Sequence, residues 1–228
     1  MDNKFWSMSP ASEKVIQLRQ LLSERFGQAS PPADELYSTG LTALDEVGVP
    51  RGALTEIVST MASGPGGGLL LYGLLHAALQ KGERVVLIDG RDAFAPKGLP
   101  QSELRRLLWV RCQEGWEAIK AADLAIRDGN APLVILLLTL NPAGELRRIP
   151  ATAWHRLQML AEKSAVTVTA FTPFAQIGCA RLRVSVGGAF PLAGLHGPRA
   201  ELLPALSLQV ERRKTGRNDE EIRRAACA

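Results

Sequence analysis

Residues 38–75, STGLTALDEVGVPRGALTEIVSTMASGPGGGLLLYGLL, hold the transition that decides the fold. A run of strand character, Leu54 to Ser59, enters a glycine-rich turn at residues 63–68 and leaves into an apolar helix beginning near Leu69. Strand, glycine-rich loop and helix in this order form the frame of a phosphate-binding loop in an α/β protein. The chemistry of such a loop is missing. A working loop ends in Gly-Lys-Ser/Thr, where the lysine reaches the outer phosphates and the hydroxyl holds Mg²⁺. Here Gly64 is followed by Pro65, Gly66, Gly67 and Gly68. Backbone N–H groups remain at the glycines, but Pro65 removes one donor and no cation anchors a phosphate. No cofactor and no metal is therefore expected.

Downstream, residues 84–89 (RVVLID) form a short β-branched run without alternation, the pattern of a buried parallel strand. Asp89 ends it, where open α/β sheets place their sites. Further strands are expected at residues 108–112 with Trp109 in the core, at 133–140 (LVILLLTL), at 165–171, at 180–186 and at 206–212. Helices are expected at 115–128, with Trp116, Ile119, Ala122, Leu124 and Ile126 as its apolar positions, and at 151–164. Residues 102–107 are helix or loop, 141–150 a loop carrying Arg147 and Arg148, and 187–204 a Gly- and Pro-rich hairpin tip or ordered loop. The expected class is α/β, a sandwich with a mostly parallel central sheet flanked by helices.

Upstream, Val15, Leu18, Leu21, Leu22 and Phe26 recur at helical spacing, so residues 11–25 form an amphipathic helix. A linker containing Ser30, Pro31 and Pro32 follows it. The organisation is thus 1–35 for helix and linker, 36–213 for the core, and 214–228 for a tail of mixed charge. Arg212, Arg213, Lys214 and Arg217 begin that tail, Asp219, Glu220 and Glu221 follow, and Arg223 and Arg224 sit near its end. Asn218 with Glu221 makes a helix-capping pattern.

The chain of 228 residues is 46% hydrophobic, enough for the core of one domain. Its 27 basic and 23 acidic residues leave a net charge of +4, with a pI near 9.2, below the footprint of a protein that coats nucleic acid. Cys112, Cys179 and Cys227 are widely spaced and odd in number, which speaks against a disulfide framework or a metal site. His76, His155 and His196 have no metal-ligand or triad companions in sequence. No signal-peptide pattern opens the chain, and the most apolar run is too short to span a bilayer. These features predict a cytoplasmic protein without a membrane association.

Several of these residues together resemble the RecA family, and within it the shortened RecA-like proteins called ImuA. They are Ser38-Thr39-Gly40 with Leu44-Asp45, Pro50-Arg51-Gly52 followed by Glu56-Ile57, and Leu87-Ile88-Asp89 with Ala93 and Pro96. The likeness spans most of residues 14–213 and implies a RecA-like sandwich. Carried over position by position, the phosphate-binding lysine falls on Pro65, the Mg²⁺-binding hydroxyl on Gly66, and the catalytic glutamate on Arg91. The second acidic strand-end residue falls on Leu138 or Thr139. The resemblance therefore implies a catalytically inactive adaptor of damage-induced translesion DNA synthesis. Its partner would be an ImuB-like relative of the Y-family polymerases.

On that reading Val15, Leu18 and Leu22 dock the N-terminal helix on a neighbouring copy; the same apolar stripe would equally serve a helix folded back on its own domain. Arg212, Arg213, Lys214, Arg217, Arg223 and Arg224 bind the partner, and DNA is at most a weak secondary target. The resemblance also implies a long DNA-binding loop after the strand at 165–171, yet only residues 172–179 stand there. Two competitors remain. A cell-division inhibitor resembling SulA is another reduced RecA relative, although that family is shorter. A divergent ATPase would need a cation from elsewhere, with Arg51, Lys97 or Arg91 as candidates.

Overall fold

The computed structural model describes residues 35–59, 66–188 and 198–214. The expected N-terminal helix with Val15, Leu18 and Leu22 lies outside these residues. So do Gly64, Pro65, His196, Arg217, Arg223, Arg224 and Cys227. What is described is an α/β sandwich around one seven-stranded sheet in the order β3-β2-β4-β5-β1-β6-β7.

The chain enters through a short antiparallel bridge between Leu36 and Pro50, with α1 (Thr42–Val47) between them. The Ser-Thr-Gly and Leu-Asp motifs have a structural task here. Asp45 accepts the Thr39 amide at 2.6 Å, the Thr39 hydroxyl at 2.8 Å and the Gly40 amide at 3.1 Å. Leu44, its neighbour, is fully buried. Gly40 sits at φ 79°, a left-handed conformation that glycine adopts without penalty.

β1 (Leu54–Val58) is buried at every position, as expected of a central parallel strand. It runs between β5 (Thr167–Thr172) and β6 (Leu182–Gly187), with Leu54 opposite Val168 and Thr55 opposite Leu182. α2 (Gly66–Gln80) follows and crosses to β2 (Val85–Asp89). It starts one turn earlier than Leu69, so that Gly66 and Gly67 belong to the helix. α3 (Gln101–Leu104) and β3 (Leu107–Arg111) then extend the sheet to one edge. Trp109 is half-buried rather than core, because β3 is an edge strand, and its Nε1 donates to Asp89 at 3.3 Å.

α4 (Gly115–Asp128) returns to β4 (Leu133–Leu137), and α6 (Ala151–Ser164) leads to β5. The long apolar run therefore yields a strand of five residues; the Leu138 N–H still bonds Phe171 O at 2.9 Å, and the chain turns at Thr139 and Leu140. Ala165 is no strand residue: at φ 55° it ends α6, its N–H bonding to Ala161 O. Within the expected loop 141–150 lies a single helical turn, α5 (Ala143–Leu146). α7 (Arg199–Leu202) and a 3₁₀ turn (Leu203–Ala205) occupy the end of the expected loop 187–204. β7 (Ser207–Arg213) then pairs antiparallel with β6 and forms the other edge.

The pleat divides the core between the two faces of the sheet. On one face Ile57, Leu87, Ile135, Phe171 and Val184 pack under α2. On the other Leu54, Val86, Val134, Val168 and Ala170 pack under α4 and α6. Among the described residues no helix is long and apolar enough to cross a membrane.

Candidate functional site

β1, β2, β4, β5 and β6 all run in one direction, so a ligand site of this fold would lie beyond their carboxyl ends. The first turn of α2 is the part of the phosphate-binding frame that is described. Gly66 and Gly67 are both buried there. A Cβ on Gly66, where the resemblance would put a Mg²⁺-binding hydroxyl, would stand 3.0 Å from Val186 Cγ1 on β6 and 3.6 Å from Leu206 Cδ2. A Cβ on Gly67 would fall 1.9 Å from Ser59 Oγ at the end of β1. These glycines let the helix start abut the sheet, and the space a serine or threonine side chain needs is filled by neighbouring strands.

The cations proposed as substitutes for lysine are engaged elsewhere in two cases. Arg51 pairs with Glu35 at 2.7 Å, and Arg91 pairs with Glu145 at 3.2 Å. Lys97 is exposed, and its backbone carbonyl accepts Arg199 Nη1 at 2.8 Å. Leu138, one of the two positions for the second acidic residue, is fully buried.

Asp89 is fully buried and spends its carboxylate on its own loop. Oδ1 accepts the amides of Arg91 at 3.3 Å and Ala93 at 2.9 Å, and Oδ2 accepts the Phe94 amide at 2.7 Å. A carboxylate satisfied in this way folds the turn after β2 and has little capacity left for a ligand. Glu145 acts likewise across three connections. It accepts Arg91 Nη2, Asn141 Nδ2 and the Gly115 amide, while Asn141 Nδ2 also reaches Gly90 O at 3.0 Å.

A second buried carboxylate, Glu56, entered the sequence reading only as part of a motif, without a role. Glu56 lies in the middle of β1 with no exposure. Its Oε2 accepts Arg183 Nε at 2.5 Å, and Oε1 accepts the Thr172 hydroxyl at 3.2 Å and the amides of Gln176 and Ile177 at 2.8 and 3.0 Å. The connection at 173–181, where the RecA resemblance implies a mobile loop, is thereby tied to the core. Arg212 joins the cluster, donating to Ile177 O at 2.7 Å. Burial first, and the Arg183 charge second, push its guanidinium pKa below the ordinary value.

β7 ends where the core was expected to end, at Arg213. Arg212 and Arg213 belong to β7, and neither is presented as a free basic arm. Arg213 donates to Gly48 O at 3.2 Å and to Val47 O, and Lys214 Nζ donates to Gly178 O at 2.8 Å. The reason is register: pairing of Arg183 with Arg212 brings the end of β7 onto the 177–180 turn.

Beside this cluster a cavity of about 410 Å³ opens between α5, the start of α6 and the 173–179 turn. Trp154, Phe174 and Ile149 supply its apolar wall, and Arg147, His155, Gln176 and Cys179 its polar one. Arg147 is exposed, and its guanidinium lies over the Phe174 ring at 5.2 Å. Burial pushes the Cys179 thiol up, against the opposing pull of its local backbone and of Lys214 and Arg212, so the thiol stays protonated and unreactive. Among the described residues no group of three His, Cys, Asp or Glu side chains is placed to hold a metal ion.

The candidate residues of the sequence reading therefore do not converge on one centre. Gly66, Gly67 and Gly68 lie at the start of α2, and Arg212, Arg213 and Lys214 lie at the far end of β7. The residues given no role from sequence, Glu56 and Arg183, carried one signal: a charged residue inside each of two otherwise apolar strand runs. A scan against protein-family models finds no match to this chain, and a search of curated proteins finds none either.

Proposed function

We propose that the chain is a catalytically inactive adaptor with a RecA-like core that acts in damage-induced translesion DNA synthesis through contacts with an ImuB-like Y-family polymerase relative in the cytoplasm. The observation that carries the inactive part is the start of α2, where Gly66 and Gly67 are closed in by Val186, Leu206 and Ser59. With Pro65 in place of the lysine, the frame of a phosphate-binding loop is kept and its chemistry is replaced by packing. The buried use of Asp89 by its own turn supports the same reading. The adaptor part rests on the sequence resemblance, since a fold by itself does not dictate a role.

Two measurements test the proposal. Calorimetry with ATP and Mg²⁺ should give no binding heat, and the double variant Pro65→Lys with Gly66→Ser should not gain any, because Val186 and Leu206 fill the space beside the new side chain. ATP binding by the double variant at micromolar affinity would show that the packing around Gly66 does not close the site. Capture of a purified ImuB-like polymerase relative by the full chain tests the adaptor role, with a tubulin-like division protein as the competing bait. Capture of the division protein alone would replace the adaptor by a division inhibitor.

A further inference from the structure

α4 and α6 pack side by side on one face of the sheet, and their outer surfaces meet in an open groove of about 530 Å³. Its floor is apolar, built from Trp116, Ile119 and Leu124 of α4 with Ala153 and Leu157 of α6. Trp116 is 42% exposed and Leu124 64% exposed, although both are large apolar side chains on a helix that already buries Ala118, Ile119, Ala122 and Ile126 beneath it. An apolar strip on the solvent side of an already docked helix marks a contact site more often than a lone surface leucine does.

The rim of the groove has a definite sign. Lys120, Arg127 and Arg156 stand around it with Asp123 as its single anion. Asp123 is already committed, to Arg156 Nε at 2.5 Å and to Arg127. The Arg156 hydrogen bond, more than any other influence, holds its carboxyl below the usual carboxylate range. Lys120 lies over the Trp116 ring at 6.0 Å and has no carboxylate partner among the described residues. The rim thus presents a net positive charge to whatever covers the floor.

We infer that the α4–α6 groove is a docking site for an amphipathic helix of a partner protein, one with apolar residues on one face flanked by Asp or Glu. A helix suits the site because it satisfies its own backbone while laying anchors at i, i+3, i+4 and i+7 between two parallel ridges. An extended segment would leave backbone polar groups unpaired over an apolar floor. A second copy is disfavoured by charge, since a two-fold contact through this groove would set two positive rims against each other. The inference extends the adaptor reading and rests on it only for the idea that the chain works by contact. It assigns that contact to α4 and α6, not to the chain termini.

The test is selection of a phage-displayed library of helical 16-residue peptides on the full chain, with counter-selection on the Leu124→Glu variant. Leu124 is solvent-facing, so this variant should fold as the parent does, which circular dichroism checks. The expected winners carry apolar anchors at helical spacing with flanking Asp or Glu. They should lose about tenfold or more in affinity on Leu124→Glu, as expected when an interface anchor is replaced by a charge. They should also weaken on Lys120→Glu and between about 0.1 M and about 1 M salt. Winners without acidic residues, winners that bind Leu124→Glu equally well, or no enrichment at all would overturn the inference. A concentration-dependent dimer in sedimentation that Leu124→Glu dissolves would overturn it in favour of a second copy. Failure here leaves the ATP and polymerase measurements unaffected, so the two readings fail separately.

Discussion

The two faces of the sheet treat their helices differently. On one face α2 is apolar nearly all round: of its fifteen residues only Gly68 and Gln80 are exposed, and α3, α7 and the 3₁₀ turn cover it. On the other face α4 and α6 bury one stripe each and leave Trp116, Leu124 and Met159 in solvent. In a nucleotide-binding protein the first face would be the busy one, since its helix begins at the phosphates. Here that helix start is closed and structural, and the apolar surface left open lies on the opposite face. The closed helix start and the open apolar surface thus lie on separate faces, each open to its own perturbation.

The largest expected effect is at the cluster that ties the 173–181 turn to the core. Glu56→Ala leaves Arg183 and Arg212 half-buried without their anion and should cost about 3–5 kcal/mol in urea denaturation. A loss below about 1 kcal/mol would mean that the cluster is not what fixes this turn. Next comes the closed helix start. Gly67→Ala drives a methyl into Ser59 and should cost about 1–3 kcal/mol. Gly68→Ala, one residue on with open space around it, should be neutral or stabilising by up to about 1 kcal/mol from helix propensity. Equal effects at the two positions would erase the distinction between a packed and an open side of that turn.

The smallest effect is at the groove rim and depends on pH. The Asp123 carboxyl is held below its ordinary range by Arg156 and Arg127, so its contribution is present above the unfolded value of about 4. That contribution is lost as pH falls through the lower folded value. Asp123→Asn should therefore cost about 1 kcal/mol or less at pH near 7, since both arginines are largely exposed. The difference from the parent should shrink as pH falls below the ordinary carboxylate range and vanish once the folded carboxyl is protonated. A difference that persists in acid would assign the effect to packing and not to charge.

Much of the fold was legible because its signals are local. The runs at 84–89 and 133–140 carry the β-branched, unalternating pattern of buried parallel strands, and the helix spans 115–128 and 151–164 match the structure. The missing Lys of the phosphate loop is likewise a statement about one position. Strand ends were less legible: Thr139 and Leu140 read as strand by composition but form a turn, and Ala165 reads as strand but caps a helix at positive φ.

The sequence by itself determined the α/β class, the order of elements and the absence of a Gly-Lys-Ser/Thr ending from the glycine-rich turn at 63–68, because each depends on residue type at near-neighbour spacing. Only the tertiary structure decided what the remaining charges do. Arg212 and Arg213 look like the start of a basic tail until the β6–β7 register lays them on Ile177 O and Gly48 O. Glu56 and Arg183 stand 127 positions apart in the chain and meet only because β1 and β6 are neighbours. Leu124 is a contrary case: at about 100° per residue it falls on the side of α4 opposite Ile119, Ala122 and Ile126, so its exposure is legible in the helical pattern itself. Pairing is a property of contacts between distant segments, and periodicity within one segment carries no record of it.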